Sequence, residues 1–274
     1  MTTETLKSSD GTAIHVIRAL ASEPARGDIL LCHGANEYMG RYTHVIEALN
    51  RAGYNVHGMD LRGHGHSGGR RGHVQRWVHY SEDMRVVAQS VGRPLVILAH
   101  SMGGLVTLEC MREGINGVEV HALMISNPLL ALAFDPPALK AFFAKIVSRI
   151  TPGLLLDNEL NPDHLSHDTA MNEDYVNDPL VTSKLSPRWF TEMNAASERV
   201  QSHASSYTTP LLLMQGTADP ITSAPKASEF FERYGGPKTC QAYEGLYHEI
   251  FNEVERDTVI SAMIDWLNNH MESR

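Results

Sequence analysis

Cysteine is scarce in this sequence. Cys32, Cys110 and Cys240 are the only three in 274 residues, and they lie far apart without metal-type spacing. A disulfide framework is not expected in a chain of this size, and a reducing compartment fits best. Long hydrophobic runs are missing too: no stretch reaches the about 18 uninterrupted apolar residues of a membrane span. The polar N-terminus MTTETLKSSDGT lacks the basic stretch and apolar run of a signal peptide. A cytoplasmic protein is expected, with peripheral membrane contact still allowed. Nor is there an excess of basic residues, since 23 Lys and Arg face 32 Asp and Glu for a formal charge of −9. Without a clustered basic footprint, no nucleic-acid partner is expected. Repeats and low-complexity tracts are absent as well. What remains is a chain 42% apolar, long enough for one large core or a core with an inserted subdomain.

The apolar residues fall into short runs alternating with longer helix-like stretches, the βαβ rhythm of an α/β fold with a mostly parallel sheet. Strands are expected at 29–32, 55–59, 95–99, 122–126, 211–215 and 239–243, each closing on a loop rich in Gly, Asp, His or Asn. Ser9-Asp10-Gly11 before them reads as a hairpin turn. Helices are expected at 42–52, 80–91, 102–113, 224–234 and 253–270, where apolar residues recur every three or four positions. Between about 127 and 207 the rhythm breaks. Asp135-Pro136-Pro137, Thr151-Pro152-Gly153, Asn161-Pro162, Asp178-Pro179 and Ser186-Pro187 punctuate short helical pieces there. The segment is too long for a simple connection, so it reads as a helical cap, residues 127–206, inserted into a core made of 1–126 and 207–274.

Within this frame, Leu95-Val96-Ile97-Leu98-Ala99-His100-Ser101-Met102-Gly103-Gly104 runs from an apolar strand through a serine into a helix. A tight strand-to-helix turn of this kind projects a serine oxygen above the sheet edge and demands small neighbours. Gly103 supplies one; Ala99 stands where glycine is usual. A lone Ser-x-Gly would equally suit a helix N-cap, but two partners follow downstream. A serine hydroxyl needs a base to take its proton and an acid to hold that base in one tautomer. Asp219, in Gln215-Gly216-Thr217-Ala218-Asp219-Pro220, follows one expected strand, and His248, in Tyr243-Glu244-Gly245-Leu246-Tyr247-His248-Glu249, follows another. Alone, the first could be an Asx turn and the second is one of fifteen histidines. In the order Ser101, Asp219, His248, each beyond a strand, they match the chain order of α/β-hydrolases. The backbone N–H groups of Ala35, in His33-Gly34-Ala35-Asn36-Glu37 after the first strand, and of Met102 occupy the two places where oxyanion donors are required. The glycine- and histidine-rich loop Asp60 to Gly69 has neither dinucleotide nor Walker spacing, and His64 and His66 lack a third ligand nearby. It reads as a buttress beneath the site, and no metal or organic cofactor is called for.

These segments together resemble the monoacylglycerol lipase and lysophospholipase group of α/β-hydrolases, bacterial monoacylglycerol lipases in particular. The resemblance runs through His33 to Glu37 with Arg41-Tyr42, Asp60 to Ser67, His100 to Gly104, Gly216 to Asp219 and Tyr243 to Glu253. It extends into the insertion at Leu165-Ser166, Asp168, Tyr175 and Asp178-Pro179-Leu180-Val181. It implies an acyl tunnel under a partly apolar cap and a narrow polar end for glycerol, where Glu37 and Arg41 match lining positions. Salt-bridged surface residues are the alternative for that pair. Some relatives carry a further histidine three residues after the catalytic one; this chain has Phe251. The implied activity is cleavage of a monoacylglycerol to glycerol and fatty acid, a small lipid ester being the partner. The apolar Leu129 to Phe134, Phe142-Phe143 and Leu154 to Leu156 leave room for transient contact of the cap with lipid aggregates. Rival readings are a lysophospholipase or broad carboxylesterase with the same triad, and a non-catalytic binding protein on the same fold. A dehalogenase or epoxide hydrolase would need a carboxylate where Ser101 stands.

Overall fold

The computed structural model describes residues 1–22, 24–134 and 138–272. The turn expected at Asp135-Pro136-Pro137 lies outside them. In chain order the elements are β1 (Thr2–Lys7), β2 (Ala13–Ala19), β3 (Gly27–Cys32), α1 (Thr43–Arg51), β4 (Tyr54–Met59), α2 (Val78–Val91), β5 (Leu95–His100), α3 (Met102–Glu113) and β6 (Val120–Ser126). After these come α4 (Ala138–Ile150), β7 (Leu156–Asp157), α5 (Thr169–Asn177), β8 (Lys184–Leu185) and α6 (Pro187–Ser202). The chain closes with β9 (Leu211–Gly216), α7 (Ala224–Arg233), β10 (Lys238–Tyr243) and α8 (Arg256–Glu272).

Eight strands form one sheet in the order β1-β2-β4-β3-β5-β6-β9-β10, with β7 and β8 pairing separately. The β4 to β10 part is parallel, whereas β1 and β2 join antiparallel at one edge. Neither carries a continuous apolar run: β1 is almost wholly exposed, and β2 buries Ile14, Val16 and Ala19 between polar or half-buried neighbours. Only the turn between them was legible, and it forms with Gly11 at φ 85° and its N–H on the Ser8 carbonyl. At the opposite edge β10 is mostly exposed or half-buried. The helix expected at 253–270 begins later, at Arg256, because 253–255 form a turn.

Alternation along the inner strands divides the core in two. Leu30, Cys32, Ile97 and Ala99 face α2, α3, α6 and α7, while Ile29, Leu31, Val96 and Leu98 face α1 and α8. Burial on both faces is why these strands read as unbroken apolar runs. Each fully buried Leu or Ile contributes about 1.5–3 kcal/mol. Within the segment between β6 and β9, α6 is anchored most deeply. Ser186 caps it by accepting from the Trp189 N–H at 3.1 Å, Pro187 opens it, and Trp189, Met193, Ala196 and Val200 enter the same core cluster as α3. Hydrophobic spacing of three to four residues drives that face inward. α4 behaves differently, leaving Phe142, Phe143, Ile146 and Ile150 exposed. None of the described helices is long and apolar enough to cross a membrane.

Candidate active site

All the crossovers bring the carboxyl ends of the parallel strands to one edge, and the residues singled out by their motifs collect there. Ser101 sits between β5 and α3 at φ 50° and ψ −116°, a conformation that costs a non-glycine residue about 1–3 kcal/mol. Its neighbours hold it: the Ser101 N–H donates to the Ser126 carbonyl at 2.9 Å, and its own carbonyl accepts from Gly104 and Leu129, each at 3.0 Å. A Cβ at position 103 would lie 2.5 Å from the carbonyl oxygens of both Cys32 and His33, so only glycine fits against β3. Ala99 takes the other flanking place fully inside the core, where its methyl finds room.

His248 leaves the loop after β10 and reaches Ser101 Oγ with Nε2 at 3.0 Å, while its Nδ1 faces Asp219 Oδ2 at 2.8 Å. Asp219, on the loop after β9, accepts further bonds from Asn127 Nδ2 (2.7 Å), Thr222 Oγ1 (2.6 Å) and the N–H groups of Ile221 and Thr222 (2.8 and 3.0 Å). Burial pushes its carboxyl upward, but His248 and these hydrogen bonds outweigh burial and hold it well below the usual carboxylate range. For His248 burial pushes downward, and the Asp219 charge and hydrogen bond win, leaving the imidazole above its ordinary 6.5. Sequence reasoning had missed Asn127 and Thr222. The signal for Asn127 was its place directly after β6, at the sheet edge that also carries Ser101; it adopts φ 43° there. His100 lies with its ring 4.7 Å from that of His248, bonded to Ser126 Oγ; burial and that neighbour hold it well below 6.5, hence neutral.

Ala35 lines the cavity above Ser101, on the loop after β3, and Met102 opens α3, so its amide has no intrahelical acceptor. Gly34 is required between them: a Cβ there would meet Glu37 Oε1 at 2.7 Å and Ser101 Cβ at 3.1 Å. The Leu61 N–H donates to His33 Nε2 at 2.9 Å, which makes Nδ1 the protonated nitrogen, and Nδ1 donates to the Gly34 carbonyl at 2.7 Å. Burial pushes His33 down to about 4, so the brace stays neutral. The loop that follows β4 thereby supports this one. Asp60 accepts from the N–H groups of Met39 and His66, His64 Nδ1 faces the Arg62 carbonyl, and His66 packs against His15 and Tyr38. Among the described residues no group of three or more His, Cys, Asp or Glu is placed to hold a metal ion.

A cavity of about 840 Å³ opens above Ser101. Leu129, Phe143, Val147, Phe190 and Met193 line its apolar part, and Glu37, Tyr175 and Glu249 one polar end. Glu37 and Arg41 are both buried, which rules out the surface-pair alternative. Glu37 accepts from the Gly34 N–H and from Tyr42 Oη (2.8 Å), and Arg41 donates to Glu249 Oε2 (2.5 Å) while lying over the Tyr175 ring. Burial, then the charge of Glu249, push Glu37 up to about 7 against the pull of Arg41. Among the described residues Glu37 Oε2, Arg41 Nη1 and Asn36 Oδ1 find no hydrogen-bond partner. Glu249 was not among the expected residues; it follows His248 directly. Phe251 points elsewhere, into the core against α1 and α8.

Comparison with known proteins agrees with this fold. The family described as serine aminopeptidase, S33 matches residues 23–255. The chain is 32% identical over 85% of its length to phospholipase YtpA of Bacillus subtilis, covering 92% of that protein. It is 28% identical over 89% of its length to an uncharacterized abhydrolase domain-containing protein of Dictyostelium discoideum, of which it spans 26%. The crystal structure of Paleococcus ferrophilus monoacylglycerol lipase superimposes with a TM-score of 0.85 at 33% identity, covering 93% of this chain and 99% of that one. The matched region takes in the loops bearing Gly34, Ser101, Asp219 and His248, and the chain belongs to this family of serine hydrolases on the α/β-hydrolase fold.

Proposed function

We propose that the chain hydrolyses monoacylglycerols to glycerol and fatty acid through an acyl-enzyme on Ser101. The observation that carries this reading is the hydrogen-bonded series Asp219–His248–Ser101, opening into a cavity apolar over most of its lining, with Glu37, Tyr175 and Glu249 among its polar groups. Ser101 Oγ attacks the ester carbonyl as His248 takes its proton, and the oxyanion rests on the Ala35 and Met102 N–H groups. His248 then gives the proton to the departing glycerol oxygen. The same imidazole activates the water that frees the fatty acid, while Asp219 stabilises the imidazolium in both steps.

Residues 127–206 serve as the cap over the acyl chain. Each methylene that leaves water there contributes up to about 0.8 kcal/mol, so selectivity climbs about fourfold per methylene until the channel is full. Glu37, Arg41 and Glu249 meet the alcohol portion of the substrate. The Glu249 carboxylate neutralises the Arg41 guanidinium and Glu37 beside it adds a hydrogen-bonding carboxyl, which suits the hydroxyls of a neutral polyol better than a phosphate and favours monoacylglycerol over a lysophospholipid. That preference bears on the relative named as a phospholipase. Rates on monoacylglycerols, diacylglycerols, lysophospholipids and short p-nitrophenyl esters, measured side by side, test it. Monoacylglycerol is expected to lead clearly; equal rates on lysophospholipids or short esters would keep the serine chemistry and overturn the substrate.

The exposed Phe142, Phe143, Ile146, Ile150 and Leu154 give the cap an apolar face that a solvent-facing surface does not need. It rests on the surface of lipid aggregates that hold the substrate. Converting Phe142 and Phe143 together to serine should weaken sedimentation with phospholipid vesicles about tenfold or more. Unchanged co-sedimentation would sink the lipid contact.

A further inference from the structure

Both neighbours of His248 are held from outside their own turn. The Tyr247 N–H donates to Glu253 Oε1 at 2.8 Å, and the Glu249 N–H donates to the Leu165 carbonyl of the cap at 2.7 Å. Glu253 itself is fully buried, and the remaining bonds of its side chain lead to the same stretch of cap. The His167 N–H reaches Oε2 and His167 Nδ1 reaches Oε1, each at 2.9 Å. The His167 ring lies against that of Tyr247 with centroids 3.8 Å apart, and the Ser166 hydroxyl donates to the Asn252 carbonyl at 2.9 Å. Arg256, at the start of α8, pairs with Asp168 at 2.7 Å.

A carboxylate removed from water is costly unless both oxygens find donors. Here the donors come from two segments about 80 residues apart in sequence, one carrying His248 and one belonging to the cap. Among the described residues the His248 side chain has Asp219 and Ser101 for hydrogen-bond partners. Its backbone is held locally by the Ile250 N–H on the His248 carbonyl and, from outside the turn, by the bonds made by residues 247 and 249. An error of about 1 Å in a catalytic group can cost about 10²-fold in rate.

We propose that Glu253 is a positioning residue that clamps the His248 turn onto residues 165–168 of the cap, so that the base of the cap sets the Ser101–His248 distance. This rests on the reading of His248 as the base. The cap on this account is part of the catalytic machinery for every ester, including substrates too short to occupy the acyl channel.

The full-length protein is assayed on p-nitrophenyl butyrate and on a monoacylglycerol, with competent sites counted by exhaustive fluorophosphonate titration. Glu253→Gln, which keeps the side-chain shape but turns an amide NH2 toward N–H donors, is expected to lower kcat per labelled site about tenfold on both substrates. KM should stay within about twofold, since no substrate contact is lost. His167→Ala should cost about threefold, and the double variant no more than Glu253→Gln alone, because both changes open one clamp. If Glu253→Gln fails to fold, His167→Ala decides by the same kcat measurement. Unchanged kcat per labelled site, a loss confined to the long substrate, or losses that multiply in the double variant would each overturn the proposal. A His248→Ala control keeps the two readings apart: full activity there removes His248 as base, whereas inactivity alongside a silent Glu253→Gln removes the clamp alone.

Discussion

Ser101→Ala should lower turnover by about 10⁶-fold, with the residual rate coming from the oxyanion donors and substrate binding. The change deletes one oxygen and leaves the elbow as it is, because the strained backbone at φ 50° is held by Ser126, Gly104 and Leu129 through main-chain groups alone. The fold and the cavity are expected to survive, so the loss reads on chemistry and not on stability. Steady-state rates on the preferred ester, with fluorophosphonate labelling beside them, make the measurement. Labelling should vanish together with turnover. Persistence of either within tenfold of the parent would remove Ser101 as the nucleophile and revive the reading of a binding protein on this fold.

Asp219→Asn carries the next largest expectation, a fall in kcat of about 10⁴-fold. An asparagine would turn either its carbonyl or its NH2 toward His248 Nδ1, and the NH2 orientation selects the wrong tautomer for a base at Nε2. Its NH2 would also oppose donors from Asn127, Thr222 or Ile221, all of which now point at a carboxylate. The pH dependence is expected to move as well. Neutral His248 is the working form, so activity falls as pH drops through its pKa. In the parent that limb is expected on the alkaline side of 6.5, since the Asp219 charge outweighs burial. With the charge gone burial prevails, the imidazole pKa drops, and the acid limb shifts to lower pH. A profile of kcat/KM against pH for both proteins checks this. An unmoved limb would mean that the Asp219 charge is not what holds His248 above its ordinary value.

Legibility of the site tracked how local each relationship is. The elbow announced itself because strand, serine, glycine and helix are contiguous, and because Gly103 answers to the backbone of the neighbouring strand β3. Asp219 and His248 were found by their positions just past apolar runs, since parallel strands must end at a common edge. Asn127, Thr222, Glu249 and Glu253 went unread for a different reason. Each acts on a group far away in sequence or through a loop whose course no periodicity encodes. β1 was missed because an exposed edge strand has no core-facing run to betray it, and β2 because its buried Ile14, Val16 and Ala19 alternate with polar residues and form no continuous apolar run, although the turn joining them carried the Asp-Gly signature.

The amino-acid sequence by itself determined the alternation of buried strands and helices, the punctuated stretch between β6 and β9, and the chain order Ser101, Asp219, His248, each just past a strand. All of these are written in residues that are neighbours or that share one period. Tertiary structure alone decided that Glu37 and Arg41 are buried against Glu249, that Phe251 serves the core and not the cavity, and that a fully buried Glu253 bonds both Tyr247, beside His248, and His167, between β6 and β9. Such contacts depend on the register of elements dozens of residues apart. Whether a charged side chain meets water or a partner is settled only when those elements pack.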